Sequence, residues 1–290
     1  MGPLTVAVVR GGMVESRHRV HAVWLGPAGE TVAEHGDAGL VTFMRSAAKP
    51  IQALLLVRAY DGLADEDVAI AAASHHARAE QLAAVKELLA RAGATEDDLE
   101  CGPVNGSRLE HNCSGKHAGF LCVCAARGWP FEGYRLSDHP LQVELSAEVG
   151  RASGLDPTEI PVAVDGCGVV TFALSLERMA AAFGRLVRNE LEGAERVTSA
   201  MHAHPALVEG PGSAATEVMR SLPGAVAKGG AEGVLCVGLE DGSALALKVE
   251  DGSARATLPA AAALLELADH RAVTMRNSRG EAVGEIVVES

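Results

Sequence analysis

The sequence predicts a mixed α/β fold, an antiparallel sheet with helices packed around it. Three observations predict it. Short β-branched runs open the chain, helical spacing stopped by glycines fills the middle, and two more strand-like runs joined by Asp-Gly lie near the end. Antiparallel hairpins at both ends with helices between them define this class.

The opening runs "TVAVVRGG" and "RVHAVWLG" read as two antiparallel strands. Helices then follow over Ala47 to Tyr60, Arg78 to Ala92, Gly115 to Arg127 and about Pro140 to Ala152. Gly93 and Gly128 stand where a left-handed C-terminal cap belongs. "IPVAVDGCG" predicts a buried strand ending in a glycine-flanked turn, and the Ala/Leu-rich stretch from Thr171 to Val187 returns to helical spacing. "GVLCVGL", the turn "EDGS" and "ALALKVED" form a hairpin signal, because Asp-Gly suits a type I′ turn. A helix over about Ala256 to Ala268 and a strand near "GEIVVE" complete the pattern. With no repeat, linker or composition shift, residues 1–290 are expected to form a single domain.

Composition narrows the function classes. With 48% apolar residues the 290-residue chain can fill a packed core. Its net charge is −13 and it has no Lys/Arg-rich run, which argues against a nucleic-acid partner. No apolar stretch approaches the ~18 to 20 residues needed to span a bilayer, and "MGPLTVAVVRGG" lacks a basic segment ahead of an apolar one. The expectation is a soluble, cytoplasmic protein. The six cysteines, Cys101, Cys113, Cys122, Cys124, Cys167 and Cys236, are too few and too scattered for a disulfide framework and read as thiols or metal ligands.

"FMRSAAKPIQALL" sets Ser46 three residues before Lys49, just ahead of a helical run. If Ser46 caps that helix, Lys49 lies in its first turn on the same face, and Pro50 loses no helical hydrogen bond there. A serine hydroxyl is a weak nucleophile until a base takes its proton, and a lysine becomes that base when burial lowers its pKa. Ser-x-x-Lys is the arrangement of serine amidases that use no histidine. The same four letters also describe a capping serine followed by a surface lysine.

Two further stretches bear on this chemistry. "AAASHHARAE" places Ser74 and His75 after an apolar run, at an element end where a hydroxyl can reach a cleft. "ALALKVED" places Lys248 in a period-two pattern, either facing solvent or sharing an apolar face with partners. "HNCSGKHAGF" puts Cys113 and Lys116 at a helix start, where backbone amides and the helix dipole lower a thiol's pKa. "VDGCGVV" supplies Cys167 between two glycines and next to Asp165. Cys113 and Cys167 could meet on a zinc ion with a third ligand, or be two small buried residues. Cys122 and Cys124 read as core packing.

Taken in order, "VVRGGMVESRH", "RSAAKPIQ", "ASHHARAEQ", "HNCSGKHAGFL", "DGCGVVTFALSL", "AKGGAEGVLCVG", "ALALKVEDG" and "NSRGEAVGEI" resemble the asparaginase II family of thermolabile, rhizobial-type L-asparaginases, from about residue 5 to 286. The resemblance implies a fold similar to serine β-lactamases and glutaminases and an L-asparagine amidohydrolase working through a Ser-Lys acyl-enzyme. It pairs Ser46 with Lys49 and Ser74 with Lys248 as catalytic residues. It also implies a metal position, usually Zn2+, on Cys113, Lys116 and Cys167, and substrate contacts from Arg45, His75, Asp165 and Cys236. A homodimer is the family expectation.

Lys228, in "AKGG", is the rival for the second lysine, because it mimics the Lys-Thr-Gly element of β-lactamases, while family position favours Lys248. Two other functions stay open: a zinc-dependent amidase or glutaminase acting on another small amide, and a non-catalytic small-molecule binder. The chain departs from the family pattern at His75-His76, where a glycine commonly follows the histidine.

Overall fold

The structure is a computed structural model that describes residues 1–289. The chain opens with β1 (Leu4–Arg10) and β2 (Met13–Leu25), joined by Gly11 and Gly12, whose positive φ angles of 55° and 81° fit the tight turn. β3 (Thr31–His35) folds back on β2, and β4 (Val41–Phe43) leads into a 3-10 turn over Arg45–Ala48.

Helices come next: α1 (Lys49–Ala59), α2 (Asp65–Ala71), α3 (Ala79–Ala92), α4 (Ser114–Arg127) and α5 (Pro140–Ser153). Strands β5 (Val162–Val164) and β6 (Val170–Ser175) precede α6 (Leu176–Val187), α7 (Ala194–Ala203), α8 (Pro205–Val208) and α9 (Ala214–Ser221). The chain closes through β7 (Val226–Gly230), β8 (Val234–Gly238), β9 (Ala244–Val249), α10 (Thr257–Leu264), β10 (Ala272–Arg276) and β11 (Ala282–Val288).

The main sheet runs β10-β11-β1-β2-β9-β8-β7, with β3 added on β2, and every pairing in it is antiparallel. First and last strands therefore pair with each other inside the sheet. A second, three-stranded sheet has the order β4-β6-β5. This is the mixed α/β class read from the sequence. Apolar side chains from both sheets and all the longer helices merge in one buried cluster that includes Val6, Leu54, Leu121, Phe172, Phe183 and Leu247. Among the described residues no helix is long and apolar enough to cross a membrane.

Four details depart from the sequence reading. Ser46 does not cap α1; it lies within the preceding 3-10 turn, and the capping position falls on Ala48 with no side-chain bond. The stretch from Thr171 begins as the buried strand β6 and turns helical only at Leu176, capped by Ser175. β5, expected to be buried, is exposed along all three residues as an outer strand of the small sheet. α10 is shorter than expected, ending at Leu264, with Leu265 as its cap. The caps at Gly93 and Gly128 are as read, at φ 65° and 67°.

Candidate active site

A cavity of about 640 Å³ opens between β7, the 3-10 turn after β4, the loop after α2 and the loop between α8 and α9. Ser46 and Ser74 both line it, with His76, Asn112, Glu209 and Ser213.

The turn carrying Ser46 is held from two sides. Arg45 adopts φ 52°, a left-handed conformation that costs a non-glycine residue roughly 1–3 kcal/mol. Its Nε donates to Asp165 Oδ1 at 2.6 Å, and the Gly166 amide donates to the same oxygen at 2.7 Å. On the other side the turn rests on β7, where Gly230 has no side chain; a Cβ there would run into the Met44 carbonyl. Ser46 Oγ makes no hydrogen bond to another described residue, although the Ser46 carbonyl accepts from the Lys49 amide.

Lys49, the first residue of α1, reaches the segment that follows α2. Its Nζ donates to the Ala73 carbonyl at 2.5 Å, to Ser74 Oγ at 3.0 Å and to Cys113 Sγ at 3.2 Å. Burial lowers its pKa from 10.5 to about 8, against the opposing pull of the Cys113 sulfur, while Lys228 and Lys116 lower it further. Ser74 itself is fixed by its backbone, whose amide donates to the Val208 carbonyl at 2.7 Å, as the next amide does to Asn112 at 3.1 Å.

Beside Lys49 sits a thiol-amine cluster. Lys116 Nζ donates to Cys167 Sγ at 3.1 Å, and the hydrogen bond from Cys167 is the main cause that draws the Cys113 thiol well below its usual pKa. Burial opposes the Lys116 ammonium, but Cys167 and Cys113 outweigh it and raise its pKa. Gly115 lets α4 lie against α2, since a Cβ there would strike the Ile70 carbonyl. Among the described residues no three His, Cys, Asp or Glu side chains converge as a metal centre. Two buried sulfurs and one buried nitrogen do gather here, a set that suits a borderline-soft ion once Lys116 has given up its proton.

The remaining residues expected from sequence fall in different places. His75 is buried and does not line the cavity. Its Nδ1 accepts from the Ala77 amide at 3.1 Å, so the proton sits on Nε2, which donates to Ser114 Oγ at 2.7 Å; that hydroxyl in turn donates a hydrogen bond to the Leu109 carbonyl. Burial, aided by the Lys49 charge, depresses His75 to about 4. The ring braces the start of α4, and the neighbouring His76 lines the cavity instead.

Cys236 lies on β8 opposite Lys228, fully buried, and burial pushes its thiol up to about 12. Lys248 is neither solvent-facing nor joined to Ser74. Its ammonium donates to the Val249 carbonyl and its charged neighbours are Glu232, Asp251 and Glu250.

Lys228 is the rival lysine named from sequence. It is wholly buried on β7, close enough to lower the Lys49 pKa, and its Nζ donates to Glu209 Oε1 at 2.5 Å and the Gly229 carbonyl at 2.8 Å. Burial works against the Glu209 carboxylate, but the Lys228 charge and hydrogen bond prevail and hold its pKa below the ordinary value. Glu209 was not singled out from sequence. Its one signal is the cluster "VEGPGS", where a carboxylate directly precedes a Gly-Pro-Gly turn.

A family model described as L-asparaginase II matches residues 6–288. The chain belongs to the L-asparaginase II family. Membership makes it an asparaginase-type amidohydrolase. No curated protein matches the chain. Two solved structures show low-level likeness. A β-lactamase from Mycobacterium bovis is 15% identical, with a TM-score of 0.45 over 81% of this chain and 88% of the other. SurE with D-Leu is 13% identical, with a TM-score of 0.38 over 99% of this chain and 83% of the other. In this family member, then, Ser46 and Ser74 line the cavity, Lys49 donates to Ser74 and to Cys113, and Lys228 is paired with Glu209 of the lining.

Proposed function

We propose that the protein hydrolyses the side-chain amide of L-asparagine to L-aspartate and ammonia through a serine acyl-enzyme. The observation that carries this reading is the Lys49 Nζ to Ser74 Oγ contact of 3.0 Å, at a cavity that Ser46 also lines. Of the three groups around Lys49, the Ala73 carbonyl has no proton to give, and Cys113 is drawn toward thiolate. Once neutral, Lys49 therefore takes its proton from the Ser74 hydroxyl.

Ser46, whose hydroxyl has no hydrogen-bond partner among the described residues, attacks the amide carbon while its proton passes to Ser74 and on to Lys49. The tetrahedral intermediate collapses, the nitrogen leaves with a proton returned along the same path, and an aspartyl ester stays on Ser46. Water then releases L-aspartate by the reverse relay. Arg45, adjacent in sequence to Ser46, is the anchor proposed for the substrate α-carboxylate, since a guanidinium fork suits that group.

A second reading has Ser74 attack directly, favoured by its own contact with Lys49. Mass mapping of the acyl adduct trapped with asparagine separates the two: the increment belongs on the Ser46 peptide in the first and on the Ser74 peptide in the second. An ammonia-release panel of asparagine, glutamine and small β-lactams tests the substrate. No ammonia from asparagine, with turnover of another amide, would overturn the asparaginase assignment.

Cys113, Cys167 and Lys116 are the residues that would hold a zinc ion. Bound there, the ion would supply a fixed positive charge that orients substrate, because serine already supplies the nucleophile.

A further inference from the structure

Asparagine reaches its enzyme as a zwitterion, so a site selective for it needs an anion for the α-ammonium. Among the described residues lining the cavity, Glu209 is the one carboxylate. Its placement is built. Oε1 accepts from Lys228 Nζ at 2.5 Å and from the Gly229 amide at 2.9 Å, which fixes the carboxylate plane. Gly229 is required for that approach, because a Cβ at this position would lie 2.9 Å from Glu209 Oε1.

The loop beyond Glu209 is pinned as well. The Gly210 amide donates to Thr216 Oγ1 at 3.1 Å, and Ser213 Oγ donates to the Gly210 carbonyl at 2.9 Å. Lys228 has no exposed surface, whereas Glu209 retains 9% and reaches the wall. The lysine is thus the hidden counter-ion and the glutamate is the group presented to the cavity.

We infer that Glu209 is a specificity-determining residue that accepts the α-ammonium of the amide substrate, with Lys228 and Gly229 holding its carboxylate in place. This rests on the asparaginase reading above and adds to it which end of the substrate is read here. A charge-assisted hydrogen bond at a partly buried carboxylate is strong enough to set a preference of roughly tenfold to a hundredfold.

The test compares L-asparagine with succinamate, the same amide lacking the amino group. Glu209→Gln should lower the ratio of kcat/KM for asparagine to kcat/KM for succinamate by roughly tenfold to a hundredfold, over and above any loss the two substrates share. Equal losses on both substrates would overturn the proposal, and so would an unchanged ratio.

Glu209→Gln leaves the Lys228 charge buried without its partner, which threatens folding. The double variant Glu209→Gln/Lys228→Met removes both charges and serves as the second arm. Calorimetry of L-aspartate and succinate binding to wild type and to this variant should show aspartate losing its advantage over succinate; an advantage retained in the folded double variant would overturn the proposal. Wild type that releases no ammonia from asparagine would instead defeat the functional reading, while the two product affinities still report on Glu209.

Discussion

Lys49 Nζ lies 3.0 Å from the hydroxyl of Ser74, 25 positions along the chain, and makes no hydrogen bond to the hydroxyl of Ser46 three positions away. The short-range motif therefore delivers its lysine to a long-range partner. α1 starts at Lys49 itself, so the side chain leaves the helix at its first turn and reaches the segment that follows α2, where Ala73 and Ser74 receive it.

This contact predicts the pH dependence of turnover. Only neutral Lys49 can accept a proton from Ser74, so kcat/KM for asparagine should rise with pH and level off above an apparent pKa of about 8. Lys49→Met should cost roughly a hundredfold to ten-thousandfold in kcat, measured as ammonia release. The sign for stability follows from the same shift. The folded pKa, about 8, is below the unfolded 10.5, so the cost of burying the charge is full below about 8 and is relieved as pH rises toward 10.5.

His75 predicts an acid limb of stability. Its folded pKa is depressed to about 4 from 6.5, so between these values the unfolded chain binds more protons than the folded one. Stability should fall as pH drops from 6.5 toward 4, as the neutral ring that donates to Ser114 becomes harder to keep. Thermal unfolding midpoints across this range should slope less steeply in His75→Gln than in wild type; an identical slope would assign the acid sensitivity elsewhere.

Much of this architecture is legible in the sequence, for identifiable reasons. Gly93 and Gly128 mark helix ends because each takes a left-handed φ that other residues resist. The β8–β9 hairpin is legible because Gly242, in the Asp-Gly turn, takes φ 90°. β6 is not, because Val170 to Leu174 are buried on both faces and show no period-two alternation. Within the site, Ser46 and Lys49 stand out by spacing, and Cys113, Lys116 and Cys167 by their glycine and helix-start context. The surroundings of Lys228 and Lys248 are legible only in the fold: the first meets Glu209 and the Gly229 carbonyl, the second the Val249 carbonyl. Glu209 has only the faint signal of its Gly-Pro-Gly turn, since its partners Lys228 and Gly229 are about 20 residues away.

A buried pair that neither spacing nor resemblance discloses supplies a stability prediction. Tyr134 Oη accepts from the Glu100 amide at 2.8 Å and donates to His117 Nδ1 at 2.5 Å, on the helix that carries Lys116. Tyr134→Phe removes both bonds and leaves the buried His117 nitrogen and the partly buried Glu100 amide without them, so it should destabilise by roughly 1–3 kcal/mol. Denaturant unfolding measures this, and the expected result is a lower midpoint with an unchanged slope.

Metal removal discriminates between the serine mechanism and a metal-activated water. If zinc on Cys113, Lys116 and Cys167 only orients substrate, chelation should raise KM or lower turnover without abolishing it. Cys167→Ser should behave in the same way, with zinc content measured on each sample. Complete loss that returns on adding zinc would favour the metal-dependent amidase.

The position of Ser46 depends on a residue that takes no part in chemistry. Gly230 on β7 faces the Met44 carbonyl, and any Cβ there must displace the 3-10 turn that carries Ser46. Gly230→Ala should therefore cost roughly 1–3 kcal/mol of stability through overpacking. The strain falls on a turn already held in place by the Arg45–Asp165 pair at 2.6 Å, so the shift should move Ser46 relative to Ser74 more than it moves α1. Acylation should then slow more than stability alone explains, because a misplacement of about 1 Å in a nucleophile can cost on the order of a hundredfold. Single-turnover acylation compared with unfolding free energy on the same variant checks this: slow acylation in a well-folded protein is the expected result, and normal acylation in a destabilised one would show that the turn holds its position without β7.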